Sequence, residues 1–357
     1  MSDQNSAASS PLAGHGATQL PAVTVDSYNA ELRDPEGFIG DRASKRAFQA
    51  IIDEWRDRLR KVDEDPLGEE PTEKISKKRL DRLLVDGDAD AAGIVHSAIE
   101  EFAQELAAVI RRFLRLKAWR GTERIVIGGG LRASRVGELA IGRTGVLLKA
   151  EKSQEIEIRS IRHHPDEAGL IGAAHLAPAW VFRGHDSILA ADIGGTNMRA
   201  GVVELKLDKA PDLAKAHVMG FELWRHRDDQ PSREEAVTRL GDMLRELVKR
   251  AEKNGHKLAP FVGIGCPGVI DNDGSISRGG QNLPGNWESS RFNLPERVRA
   301  LLPEIDGQET VVLMHNDAVV HGLSEVPFQT DVVRWGVLTI GTGLGNARFT
   351  ARRAGKD

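Results

Sequence analysis

Apolar residues recur along this chain at two spacings. From Asp41 onward, Phe48, Ile51, Ile52, Trp55, Leu59 and Val62 fall at helical intervals and predict an amphipathic helix, with Trp55 as a core residue. An acidic, proline-broken loop at 63–73 separates it from a shorter helix bearing Lys77, Lys78 and Arg79, which reads as a solvated face rather than a basic patch. The longest predicted helix runs from Asp88 to Ala118, with Ile94, Ile99, Phe102, Leu106, Val109, Ile110, Phe113 and Leu114 on one stripe. Arg111, Arg112, Arg115 and Lys117 gather at its C-terminal end, where the helix dipole favours cations. Another helix is predicted over Arg233–Lys253. Between the helices lie short apolar or alternating runs that predict strands: Arg124–Gly128, Glu155–Ile161, the two halves of Leu189–Glu204, Phe261–Cys266, Val311–Met314 and Gly336–Ile340.

Several of these strands end in glycine. Asp192-Ile193-Gly194-Gly195-Thr196 joins two apolar strands. Its paired glycines allow positive φ and bring N–H groups close to an anion, and Thr196 adds a hydroxyl. Asp192, the only charge in Ile188–Asn197, stands where Mg²⁺ would be met, directly or through water. Taken alone, the stretch reads equally well as a hairpin whose glycines serve only the turn. Gly341-Thr342-Gly343 repeats the strand, glycine–threonine turn and strand, and two such turns favour a split phosphate clamp. Gly128-Gly129-Gly130 lies between strand and helix and lets a flat ligand group rest on bare backbone. It is not a dinucleotide fingerprint, since Ala133 stands at the third glycine's place and no acidic ribose partner is apparent. Gln281–Trp287 has the donors and acceptors a sugar needs, and equally the composition of a surface turn. Asp317, between a strand and a helix, is either a cap or a base pointing into a cleft. His163-His164-Pro165-Asp166-Glu167 reads as a helix start rather than an acid–base cluster.

A chain of 357 residues can build two lobes, and 40% hydrophobic with 29% charged residues is ordinary for a globular protein. A net charge of −4 argues against nucleic acid or a membrane surface as main partner. The single cysteine, Cys266, excludes an intrachain disulfide or thiolate zinc site and fits a reducing cytoplasm. Residues 1–25, rich in Ser, Ala, Gly and Pro, lack the features of a signal peptide and read as a mobile arm. The uncharged run near 168–182 is too short to span a bilayer.

In this order, the motifs over Ile188–Phe349 resemble the ROK family of sugar kinases, repressors and relatives. Asp192–Thr196 is similar to the family's first phosphate hairpin, Gly263–Gly268 to its Gly-x-Gly-x-Pro-Gly turn, and Asn282-Leu283-Pro284 to its sugar loop. Asn316-Asp317-Ala318 matches the segment holding the catalytic base, and Gly341–Gly343 the second phosphate hairpin. The pieces that ordinarily follow, Ile127–Gly130 and Ala168–Ala174, stand in front, so the chain resembles one such domain circularly permuted. The resemblance implies an α/β, two-lobed, actin-like ATPase (ribonuclease H-like) fold. Residues 1–30 would be an arm, 31–162 most of the larger lobe, 163–330 the smaller lobe, and 331–357 the strands completing the larger one. It also implies ATP-dependent phosphorylation of a sugar or sugar derivative, with Asp317 as general base. Asp192, Gly194, Gly195, Thr196, Gly341, Thr342 and Gly343 would hold the phosphates, with Mg²⁺ at Asp192, and Gly128, Gly129 and Gly130 would meet adenosine. Asn282, Asn316 and Asp317 would bind the sugar. A cytoplasmic homodimer without nucleic-acid or membrane partners is the expected setting. The chain departs from the family at Gly37–Asp41, where Phe38 replaces a zinc cysteine and Gly40 the sugar-binding glutamate, so no zinc is expected. The family's Glu-x-Gly-His is only echoed by Ala13-Gly14-His15, and Asn197 stands where lysine is common. These departures motivate an alternative, a non-catalytic sugar- or nucleotide-binding regulatory protein of the same fold. No helix-turn-helix module supports a repressor.

Overall fold

The computed structural model describes residues 12–35, 37–151 and 155–352. Ten strands build its two large sheets: β1 (Val23–Tyr28), β2 (Arg124–Gly128), β3 (Glu157–Ser160), β4 (Ser187–Ile193), β5 (Met198–Glu204), β6 (His217–Trp224), β7 (Leu258–Cys266), β8 (Val311–Asn316), β9 (Arg334–Ile340) and β10 (Leu344–Ala351). One sheet has the order β8-β7-β4-β5-β6 and the other β1-β10-β9-β2-β3. In the first, β4 and β5 form an antiparallel hairpin, β6 pairs antiparallel with β5, and β7 and then β8 add in parallel on the other side. The second sheet follows the same plan from β9, with β10 and β1 antiparallel on one side and β2 and β3 parallel on the other. Its opening hairpin thus comes late in the chain and its other three strands early. This two-sheet α/β arrangement is the one the resemblance implies.

The principal helices are α1 (Lys45–Leu59), α2 (Lys77–Asp86), α3 (Ala89–Arg115), α4 (Arg135–Ala150), α5 (Ala168–Ala173), α6 (Arg233–Lys253), α7 (Leu294–Leu301) and α8 (Asp317–Leu323). Side-chain alternation sorts them into layers. On β2, Ile125 and Ile127 join the core with α1, α3 and α4, while Val126 faces the core holding α5 and α8. On β4, Ile188 and Ala190 face that same central core, and Leu189 and Ala191 pack with α6 and α7. Both sheets are therefore covered on both faces, which is why the inner strands read as continuous apolar runs. Each fully buried leucine or isoleucine contributes roughly 1.5–3 kcal/mol. Helices α5 and α8 cross at Gly172, where an added Cβ would lie 1.7 Å from the Val320 carbonyl oxygen.

Caps set the helix boundaries. Ser44 Oγ accepts the Ala47 N–H, so α1 starts at Lys45 rather than Asp41, and Val62 lies beyond its end, 81% exposed. Asp88 caps α3, which stops at Arg115; a 3₁₀ turn then tucks Trp119 against Phe113. The expected arm differs most. Residues 1–11 lie outside the described residues, but 12–30 are packed: Leu20, Val23 and Val25 are buried, and the Gly16 N–H donates to Met314 O on the edge strand β8. The segment lacks periodicity because it binds as a strap, and β1 within it belongs to the second sheet. Among the described residues, no helix is long and apolar enough to cross a membrane.

Candidate functional site

The two glycine–threonine turns meet. Gly194 N–H closes the β4–β5 turn on Asn197 O and Gly341 N–H closes the β9–β10 turn on Gly343 O, both at 2.9 Å. Thr196 Oγ1 and Thr342 Oγ1 lie 3.0 Å apart across the gap between the sheets. Gly129, at φ +89°, packs so tightly on the end of β9 that a Cβ would lie 2.3 Å from Ile340 O, which brings the Gly128–Gly130 turn beside the second hairpin. A Cβ at Gly130 or Gly343 would meet nothing within 4 Å, so both leave bare backbone facing open space. Gly195 abuts Asn282, with 2.9 Å from its Cβ position to the Asn282 Cβ, and His226 Nε2 lies 2.8 Å from Gly194 O. Residues drawn from five separate stretches of sequence thus converge on one cleft.

Beneath the first turn lies a charged network. The Asp192 side chain is 5% exposed; Arg199 Nη1 lies 3.2 Å from its Oδ2 and His321 Nε2 3.2 Å from its Oδ1. Arg199 also holds Asp166, Nε to Oδ1 at 2.9 Å. Burial opposes ionisation of Asp192, but His321 and then Arg199 outweigh it and hold the carboxyl below its usual range. His321 is displaced the other way: burial lowers it, and Asp192 with Asp317 raises it above an ordinary histidine. Asp317 opens α8 one helical turn before His321. Withdrawal from water pushes it up to about 6, against His321 and the Ala318 N–H, which donates to its Oδ1 at 2.9 Å. Cys266 is buried near both aspartates, and burial followed by their charges raises its thiol far above normal, so it is not a nucleophile.

Among the described residues no group of three or more His, Cys, Asp or Glu could hold a metal ion. Both oxygens of Asp192 are engaged, but a carboxylate has about four acceptor sites, so this residue suits a hydrated cation held through water rather than direct ligation.

Other expected residues are placed differently. Asn316, not Asp317, caps α8: its Oδ1 accepts the Ala318 and Val319 N–H groups and its Nδ2 donates to Gly268 O. Buried and so engaged, Asn316 is not open to a sugar hydroxyl, whereas Asn282 is exposed beside the first turn. His15 spends its Nδ1 on the Met314 N–H of β8. Gly40 lies against Leu344 at the second hairpin. Asp166 makes no cap for α5; it serves Arg199 instead. Trp287 is buried and bonded to Pro284 O, which anchors the 281–287 loop.

Sequence reasoning passed over Arg199 and His321. Arg199 alternates within an apolar strand, and His321 sits in a mostly apolar helix; only its i+4 spacing from Asp317 hinted at a shared face.

No family model matches the chain, and no curated protein does. Solved structures similar to it include a ROK family glucokinase from Streptomyces griseus in complex with glucose and AMPPNP (21% identity, 47% of this chain, 47% of that one, TM-score 0.34). A ROK hexokinase from Thermus thermophilus is also similar (20% identity, 47% of this chain, 49% of that one, TM-score 0.32). The chain spans about half the length of these structures.

Proposed function

We propose that this protein is an ATP-dependent kinase acting on a hydroxyl of a sugar or sugar derivative. The observation that carries the reading is the meeting of two glycine–threonine turns, Thr196 to Thr342 at 3.0 Å, in the cleft that also holds Asp317. Backbone N–H groups and hydroxyls of the turns would donate to phosphoryl oxygens, where preorganised donors contribute most to such transfers. Asp317 would accept the proton of the attacking hydroxyl. At about 6, it is ionised at neutral pH yet basic enough to take that proton. Bound Mg²⁺ supplies charge neutralisation at the phosphates, and Asp192 would hold it through water. Gly128–Gly130 would lie against adenosine, and Asn282 would meet the sugar.

We also read the chain as one domain circularly permuted, because the second sheet reproduces the strand order and directions of the first only when read from β9 through β10 to β1, β2 and β3. A second reading, a ligand-responsive protein without transfer, is favoured by His15 bonding Met314 and by glycine at position 40. The decisive test is Asp317→Asn. Turnover should fall by roughly 10²–10⁴-fold with nucleotide affinity nearly intact; an active variant refutes the assignment, and a wild type that binds ATP without transfer selects the second reading.

A further inference from the structure

The first phosphate turn is poor in available cations. Asn197 is uncharged, Arg199 is engaged by Asp166 and Asp192, and Arg227 meets Thr196 only through its backbone N–H, at 3.3 Å. A nucleoside triphosphate is strongly anionic and needs positive charge from elsewhere.

The other side of the cleft supplies it. Lys45, the first residue of α1, donates its backbone N–H to Gly341 O of the second turn at 3.0 Å. Lys77, the first residue of α2, places its Nζ 2.6 Å from Gly130 O. Both side chains are exposed, and among the described residues neither has a carboxylate within ion-pair distance. Partial burial depresses the Lys77 ammonium, the charge of Asp166 supports it, that of Lys45 depresses it, and that of Asp81 supports it. Each lysine is tied to a glycine turn of the cleft, with open space at Gly130 and Gly343, and cations placed over bare backbone there favour an anion. Lys45 and Lys77 stand where the two turns converge.

We infer that Lys45 and Lys77 are the cationic arms that hold the triphosphate tail of the nucleotide, doing from the second sheet's side what no residue of the first turn does. The inference rests on the nucleotide-site reading above. It makes these lysines specific for the phosphate tail and indifferent to the nucleoside.

Calorimetric titration of the full chain with ATP and with AMP, each with Mg²⁺, tests it in the wild type, Lys45→Gln, Lys77→Gln and the double variant. Each single change should weaken ATP about tenfold while AMP shifts less than about twofold, and Lys77→Arg should restore most of the loss. Thermal unfolding checks that each variant is folded, and the exposed Lys149→Gln serves as a charge control with unchanged affinity. Equal weakening of ATP and AMP means that Lys77 only braces the Gly130 turn, and unchanged ATP affinity in the double variant means that neither lysine meets phosphate; either overturns the inference while leaving the nucleotide site standing. A wild type that binds no ATP removes the site itself and the inference with it.

Discussion

Replacing Asp317 by Asn should stabilise the protein, and only at neutral and alkaline pH. In the folded chain this carboxyl is raised from 3.8 to about 6, chiefly by withdrawal from water. The folded state therefore holds a proton there through a pH range in which the unfolded state has released it. The stability this group lends is full below about pH 4 and is lost as pH rises through about 6. At pH 8 the wild type carries the whole cost of an ionised carboxylate in that position, up to about 3 kcal/mol for such a displacement. Solvent still reaches the side chain at the cleft, so roughly 1–2 kcal/mol is the expected effect. Asparagine keeps the acceptor for the Ala318 N–H and carries no charge. Urea unfolding of wild type and Asp317→Asn at pH 4, 6 and 8 reads the difference directly, because every other titrating group is common to both. The variant should gain its advantage between pH 4 and 8 and lose it again on acidification. A variant that is less stable throughout, or a difference flat with pH, contradicts the placement of a strained base in this cleft.

Other outcomes follow from the same contacts. Arg199→Met leaves Asp192 and Asp166 without their shared cation, and removing one partner of a buried pair costs about 3–5 kcal/mol, readable as a lowered denaturation midpoint. Gly172→Ala drives a Cβ into the Val320 carbonyl and should cost roughly 1–3 kcal/mol, whereas Gly93→Ala, exposed in α3 with nothing within 4 Å, should gain about 0.5–1 kcal/mol. Thermal melts of the pair separate a helix-crossing constraint from general glycine flexibility. His321→Leu removes the partner of Asp192 Oδ1, and Arg199 alone should then fail to hold the network; weakened binding of Mg²⁺-ATP relative to wild type is the expected readout.

Much of this site was legible in the sequence because its chemistry is local. Paired glycines and a threonine between two apolar runs specify a tight turn, and both hairpins formed, although Gly194, Gly195, Gly341 and Gly343 do not take the positive φ that glycine allows. Asp317 was legible as a strand-end acid, but the capping role offered to it belongs to its neighbour Asn316. What stayed hidden depends on partners distant in sequence. Asp166 stands before a helix start as expected, but its partner Arg199 was not visible, and Lys77 lies on an exposed helix face as expected, but its bond to Gly130 was not. Residues 12–30 carry no internal periodicity because, apart from a short turn on themselves, they bond to β8 and β10, some 300 residues later.

The most direct test of the central claim is an ATP-consumption screen of the purified chain with Mg²⁺ across hexoses, N-acetylhexosamines and their epimers, with ³¹P detection of the product. The account predicts stoichiometric transfer of the γ-phosphoryl group to a hydroxyl of at least one sugar, lost in Asp317→Asn. Binding of ATP with no transfer to any sugar, or transfer that survives Asp317→Asn, contradicts it.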